Sequence, residues 1–132
     1  MPPITRWHVK LSLLYLLAGL GLGIAQAMGG GGVLFASYVH LLVVGWITQM
    51  IFGVAYWMFP RFSKERPRGS SQLAVVAFAL LNLGLLLRVV VEPLQTRHPE
   101  SGLGGLLLVS AVAQWLAGLA FVLNTWPRVK ER

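Results

Sequence analysis

Four long apolar runs restrict the fold of this chain more than any other feature. They cover roughly residues 11–28, 33–60, 73–91 and 103–123. About 20 apolar residues in helical form cross the hydrocarbon core of a bilayer. Inside that core each backbone N–H and C=O must find a partner within the segment, so a spanning run is read as a helix. The breaks between the runs are "GGGG" (29–32), "RFSKERPRGSS" (61–71) and "EPLQTRHPESG" (92–102), rich in the Gly, Pro and Ser of turns. Pro60 and Pro93 are predicted to end the second and third helices, and Ser70 or Ser71 to cap the start of the third. The expected fold is an all-α integral membrane protein, one domain over residues 1–132, with four transmembrane helices.

Composition agrees with that reading. Of 132 residues, 56% are hydrophobic and only 11% charged, too little polar surface for a soluble domain of this size. The absence of cysteine excludes disulfides and thiolate metal sites. A net charge of +7 raises the question of nucleic acid. The basic residues, however, sit at the ends of apolar runs, where membrane topology puts them, and nucleic-acid binding is not expected. Arg6 and Lys10 lie at the amino end; Arg61, Lys64, Arg66 and Arg68 in the second loop; Arg128, Lys130 and Arg132 at the carboxyl end. The first loop has no basic residue and the third has Arg97. By the positive-inside rule both termini and the second loop are cytoplasmic, in a multi-pass protein of the cell's inner membrane. Trp7, Trp57 and Trp126 fall near the same interface. The first run also has the basic start and "AQA" ending of a signal peptide, but it is expected to be kept as a helix.

Ionisable groups at membrane depth are costly and usually functional. Two stand out. His40 lies about eight residues into the second helix, roughly 12 Å below its outer boundary at 1.5 Å per residue. Arg88 lies about 8 Å below the outer boundary set by Pro93. Both therefore occupy the outer half of the membrane. A neutral imidazole is a ligand for haem iron, and a guanidinium at that level suits a haem propionate. Plainer roles are open for each. His40 can bond across helices; Arg88 can snorkel outward or pair with Glu92 at i,i+4. Thr48, Gln49, Asn82 and Gln114 are predicted to bond between helices. His8 and His98 read as surface histidines. Gly19-x-x-x-Gly23 permits close helix approach, chiefly within the subunit, and Ser110, Gln114 and Gly118 form a comparable seam. No HExxH, phosphate loop, carboxylate pair or nucleophile triad is present.

The segment "VHLLVVGWITQMIFGVAYWMFPR" (39–61) resembles the histidine-bearing helices of haem-copper oxidase subunit I, above all in the nitric oxide reductase and cbb3-type branches. His40, Gly45, Trp46, Tyr56, Trp57 and Pro60 carry the resemblance. That family's subunit repeats arcs of four helices, with metal-binding histidine on the second helix of each. The likeness implies a single four-helix arc whose His40 binds the iron of haem b, with Arg88 beside it. Two departures matter. Leu42 stands where the family often has Asn, and the paired histidines that hold copper are missing. One copy cannot assemble a complete oxygen- or NO-reducing site. A homo-oligomer, dimer or trimer, is therefore expected, with His40 from neighbouring copies available to shared haem.

The expected function is haem-b binding in electron transfer or in handling a diatomic gas. A second reading is a haem-free accessory or scaffold subunit of a respiratory complex. A small transporter ranks last, since His40 and Arg88 are the only groups available for a titratable path.

Overall fold

The computed structural model describes residues 1–29 and 31–129. Gly30 and the charges of Lys130 and Arg132, used above for topology, lie outside the described residues. Four long helices account for most of the chain: α1 (Pro3–Ala27), α2 (Phe35–Met58), α3 (Ser71–Arg97) and α4 (Gly104–Thr125). Short 3₁₀ turns follow α3 at Pro99–Ser101 and α4 at Trp126–Arg128. Among the described residues there is no strand. All four helices are long and apolar enough to cross a membrane. α1 lies along α2 and α3 along α4, and the two pairs join where α2 packs on α3.

The helices are polar inside and apolar outside. On α1 the buried residues are Thr5, His8, Ser12, Tyr15 and Gly19, a stripe at helical spacing. Leu17, Ile24, Leu83, Leu108 and Trp115 face outward and are exposed. An apolar exterior of this extent is what helices long and apolar enough to cross a membrane would present to lipid. Apolar packing inside is local. Tyr15, Leu41 and Leu85 form one cluster, and Phe52, Leu81 and Ala117 another, where Phe121 stacks on Phe52 at 4.0 Å.

Gly45 shows why the small residues are where they are. A Cβ there would come within 2.8 Å of Tyr15 and 2.9 Å of Leu85, so α1, α2 and α3 converge on a position with no side chain. The Gly19 and Gly23 pair acts within the subunit, as the sequence implied: Gly19 meets Leu42 and Gly23 meets Tyr38. Gly118 does not extend the α4 seam. Nothing lies within 4 Å of its Cβ position, and neighbouring Ala117 is the buried residue.

Two helix ends differ from the sequence expectation. α1 begins at Pro3 rather than Leu11. Proline at the first helical position gives up only an N–H that no helix start can bond, so the helix extends back over Arg6 and His8. As a result His8 is buried, with its ring edge-on to Phe78 at 4.9 Å, and is not a surface residue. α3 continues through Pro93 to Arg97. Pro93 has no N–H to give the carbonyl of Val89 one turn back. The Ser37 hydroxyl on α2 donates to that carbonyl instead, at 3.0 Å. The other signals hold. Ser70 caps α3, its hydroxyl accepting from the Leu73 N–H at 3.3 Å, and α2 stops before Pro60.

Candidate functional site

The site grows from a change of helical pitch in α2. Residues Leu41–Thr48, directly after His40, form wide π-helical turns. Such turns cluster at functional positions because they re-aim side chains without breaking the helix. Thr48 spends its hydroxyl inside this segment, on the Val43 carbonyl at 2.9 Å, rather than across helices as expected.

His40 stands at the junction, with α3 opposite. Its Nδ1 is 2.9 Å from the Ala36 carbonyl oxygen and 3.2 Å from Glu92 Oε2. Facing two acceptors, Nδ1 carries the proton. The N–H is directed at the Ala36 carbonyl, and Glu92 Oε2 is left buried without a hydrogen bond of its own. Nε2 is then the acceptor, and Arg88 Nη1 approaches it at 3.3 Å. The imidazole side chain is 28% exposed and Glu92 only 10%. The ring thus forms the edge of the cluster, with the carboxylate behind it.

Arg88 joins the parts. Nη1 also donates to Glu92 Oε1 at 3.2 Å, the i,i+4 pair that the sequence allowed. Nε donates to the Ser110 hydroxyl on α4 at 3.2 Å, and Nη2 to the Leu107 carbonyl at 3.5 Å. Ser110 in turn donates to the Gly84 carbonyl at 2.7 Å and accepts from Gln114 at 3.2 Å. Gln114 therefore bonds within its own helix, not between helices. Three helices meet around one guanidinium.

Toward the other end, Tyr15, Gln49 and Asn82 form a second polar group. The Tyr15 hydroxyl donates to Asn82 Oδ1 at 2.8 Å, and Gln49 Nε2 to the same oxygen at 3.1 Å. The predicted interhelical roles of Gln49 and Asn82 are found. His98 lies exposed beside Glu100 at 3.4 Å, a surface histidine as read.

The two residues singled out by sequence, His40 and Arg88, are in direct contact. Sequence reasoning missed Glu92 as a partner of His40, and Ser110 as a partner of Arg88. The first was within reach: four residues of rise, about 6 Å, separate Arg88 from Glu92, and His40 is expected at a similar depth. The second had no signal beyond a small polar residue in a seam. Among the described residues no group of three His, Cys, Asp or Glu is placed to hold a metal ion. Two potential donors, His40 and Glu92, do meet at this site, 3.2 Å apart.

Comparison with known proteins settles the family. The NnrS protein family matches residues 5–130, nearly the whole chain. The chain belongs to the NnrS family. NnrS is associated with nitric oxide responses. The match to NnrS covers all four helices, whereas the likeness to haem-copper oxidase subunit I stays a resemblance of the α2 segment. No curated protein and no solved structure gives a significant match to this NnrS-family chain.

Proposed function

We propose that this chain acts in nitric-oxide-related processes as a membrane haem-b protein, with His40 as the iron ligand. The observation that carries this reading is the anchoring of His40 Nδ1 between the Ala36 carbonyl and Glu92. A metal-ligating histidine almost always gives its other ring N–H to a carbonyl or carboxylate, which fixes the ring and raises its basicity. Here that leaves Nε2 as the ligating atom. His40 would hold a haem through Nε2, and the porphyrin would supply the iron's other nitrogen ligands, so no further protein donor would be needed. Haem iron bound through one histidine offers a position for a diatomic gas.

The residues present fit this group on the histidine side. The present partner of Nε2 is a single N–H at 3.3 Å, at the long limit for such a bond. Arg88 can release it and keep Glu92, Ser110 and the Leu107 carbonyl. Arg88 would then hold a propionate only by sharing its charge with Glu92. The exposure of the imidazole edge supports a haem shared with a second copy, in a homodimer or homotrimer within the inner membrane.

One observation favours the second reading, a haem-free accessory subunit. Both ring nitrogens of His40 already have partners inside the chain, so the cluster also serves as a structural lock between α2, α3 and α4. The visible spectrum of the full chain, purified in mild detergent with haem supplied, separates the two. The haem reading expects a Soret band that nitric oxide shifts and that His40→Ala abolishes while the fold is retained. A colourless protein, or a band indifferent to His40→Ala, rejects it and leaves the lock.

A further inference from the structure

At the end of the molecule opposite His40, three arginines converge on one cavity. It measures about 360 Å³ and is lined by Trp57, Met58, Phe59, Pro60, Arg61, Pro67, Arg68 and Arg128. Among the described residues no carboxylate lines it. Glu65, the one acid of this loop, borders the adjoining cavity instead, together with Arg66 and Arg68.

Arg128 forms the floor and is fully buried. It donates from Nε to the Pro60 carbonyl at 3.0 Å, from Nη1 to that of Tyr56 at 3.0 Å, and from Nη2 to that of Phe59 at 2.7 Å. These carbonyls are the negative end of α2, equivalent to about half an elementary charge. They offset Arg128 only in part. Arg61 is exposed at the rim and Arg68 half-buried in the wall. The amino end of α3, at Ser70, Ser71 and Gln72, adds its positive pole through the adjoining cavity, which shares Arg68. Guanidinium groups repel one another, and a cavity whose described lining gathers three of them and no carboxylate is complementary to an anion.

The other half of the lining chooses the anion. Trp57, Met58 and Phe59 are exposed apolar residues at the end of a helix apolar enough to cross a membrane. Tryptophan at such a position marks the headgroup level. A free anion gains nothing from this apolar flank; a lipid places its glycerol and upper acyl chains there. We infer that the cavity binds the phosphate of an anionic phospholipid, with Arg61 and Arg68 as its direct partners and Arg128 as a fixed charge beneath.

The test uses the full chain in mild detergent and follows thermal unfolding as lipid is added. Phosphatidylglycerol is the probe, with phosphatidylcholine and inorganic phosphate in parallel. The variant is Arg61→Gln with Arg68→Gln; neither side chain holds up the α2 end, which is the task of Arg128. The expected result is stabilisation by phosphatidylglycerol alone, with the half-effect concentration rising about thirtyfold in the double variant. Equal stabilisation by phosphatidylcholine would overturn the site. So would an unchanged response in the double variant. Stabilisation by inorganic phosphate to the same extent would overturn the lipid and leave a small-anion site.

Discussion

A single hydroxyl explains why a proline fails to end α3. Pro93 removes the donor that the Val89 carbonyl would otherwise have, and Ser37 supplies one from the neighbouring helix at 3.0 Å. Ser37 lies one turn before His40, and Glu92 directly precedes Pro93. The same exchange thereby docks α2 on α3 at the level of the cluster. Ser37→Ala leaves a half-buried carbonyl without that partner, which costs on the order of 1 kcal/mol. Pro93→Ala returns a backbone N–H to that carbonyl. The two substitutions should therefore couple. Measured by unfolding in mixed micelles, Ser37→Ala is expected to cost markedly less in the Pro93→Ala background than alone. Equal costs in both backgrounds would show that the hydroxyl does not replace the missing N–H.

At the scale of the helices, close approach is the organising device. α1, α2 and α3 converge on Gly45, where a Cβ would overlap Tyr15 and Leu85. Gly45→Ala is expected to destabilise by about 1–3 kcal/mol, as overpacking does. Gly21→Ala is the control: nothing lies within 4 Å of its Cβ position, and alanine is the better helix former by nearly 1 kcal/mol. A thermal shift assay in detergent should separate the two in sign. The helices themselves were legible in the sequence because hydropathy and length are local properties. Their ends were less so. Pro93 reads as a stop unless the compensating Ser37, far away in the chain, is already in view. His8 reads as an interfacial residue until Pro3 is recognised as a helix start. In the site, depth arithmetic brought His40 and Arg88 together, since rise per residue is fixed. It carries no azimuth, so the contacts of Glu92 with His40 and of Ser110 with Arg88 were not legible. Arg128 was counted only as a topological charge, and no local pattern announced that it would cap a helix ending about seventy positions earlier.

For the molecule as a whole, charge asymmetry is the feature from which an orientation is expected, and orientation decides what the two ends can meet. Arg6, Lys10, Arg61, Lys64, Arg66, Arg68 and Arg128 belong to one end, and Arg97 to the other. Contacts tie the basic end together: Arg128 of the α4 end on the α2 end, and Asn124 on the Ser70 N–H at 2.7 Å. On the positive-inside rule we propose that this end is cytoplasmic and that the His40 cluster lies in the outer half of the bilayer. The absence of cysteine from the chain makes this testable with single substitutions. Gln72→Cys reports the basic end and Ser101→Cys the opposite one; both positions are exposed. In intact cells an impermeant maleimide is expected to label Ser101→Cys directly and Gln72→Cys only after the membrane is opened. The reverse pattern would turn the molecule over. His40 would then sit in the cytoplasmic half, and the arginine cavity would face the outer leaflet. The haem and lipid proposals each predict their own measurement independently of this one, so the orientation can fail while the sites stand.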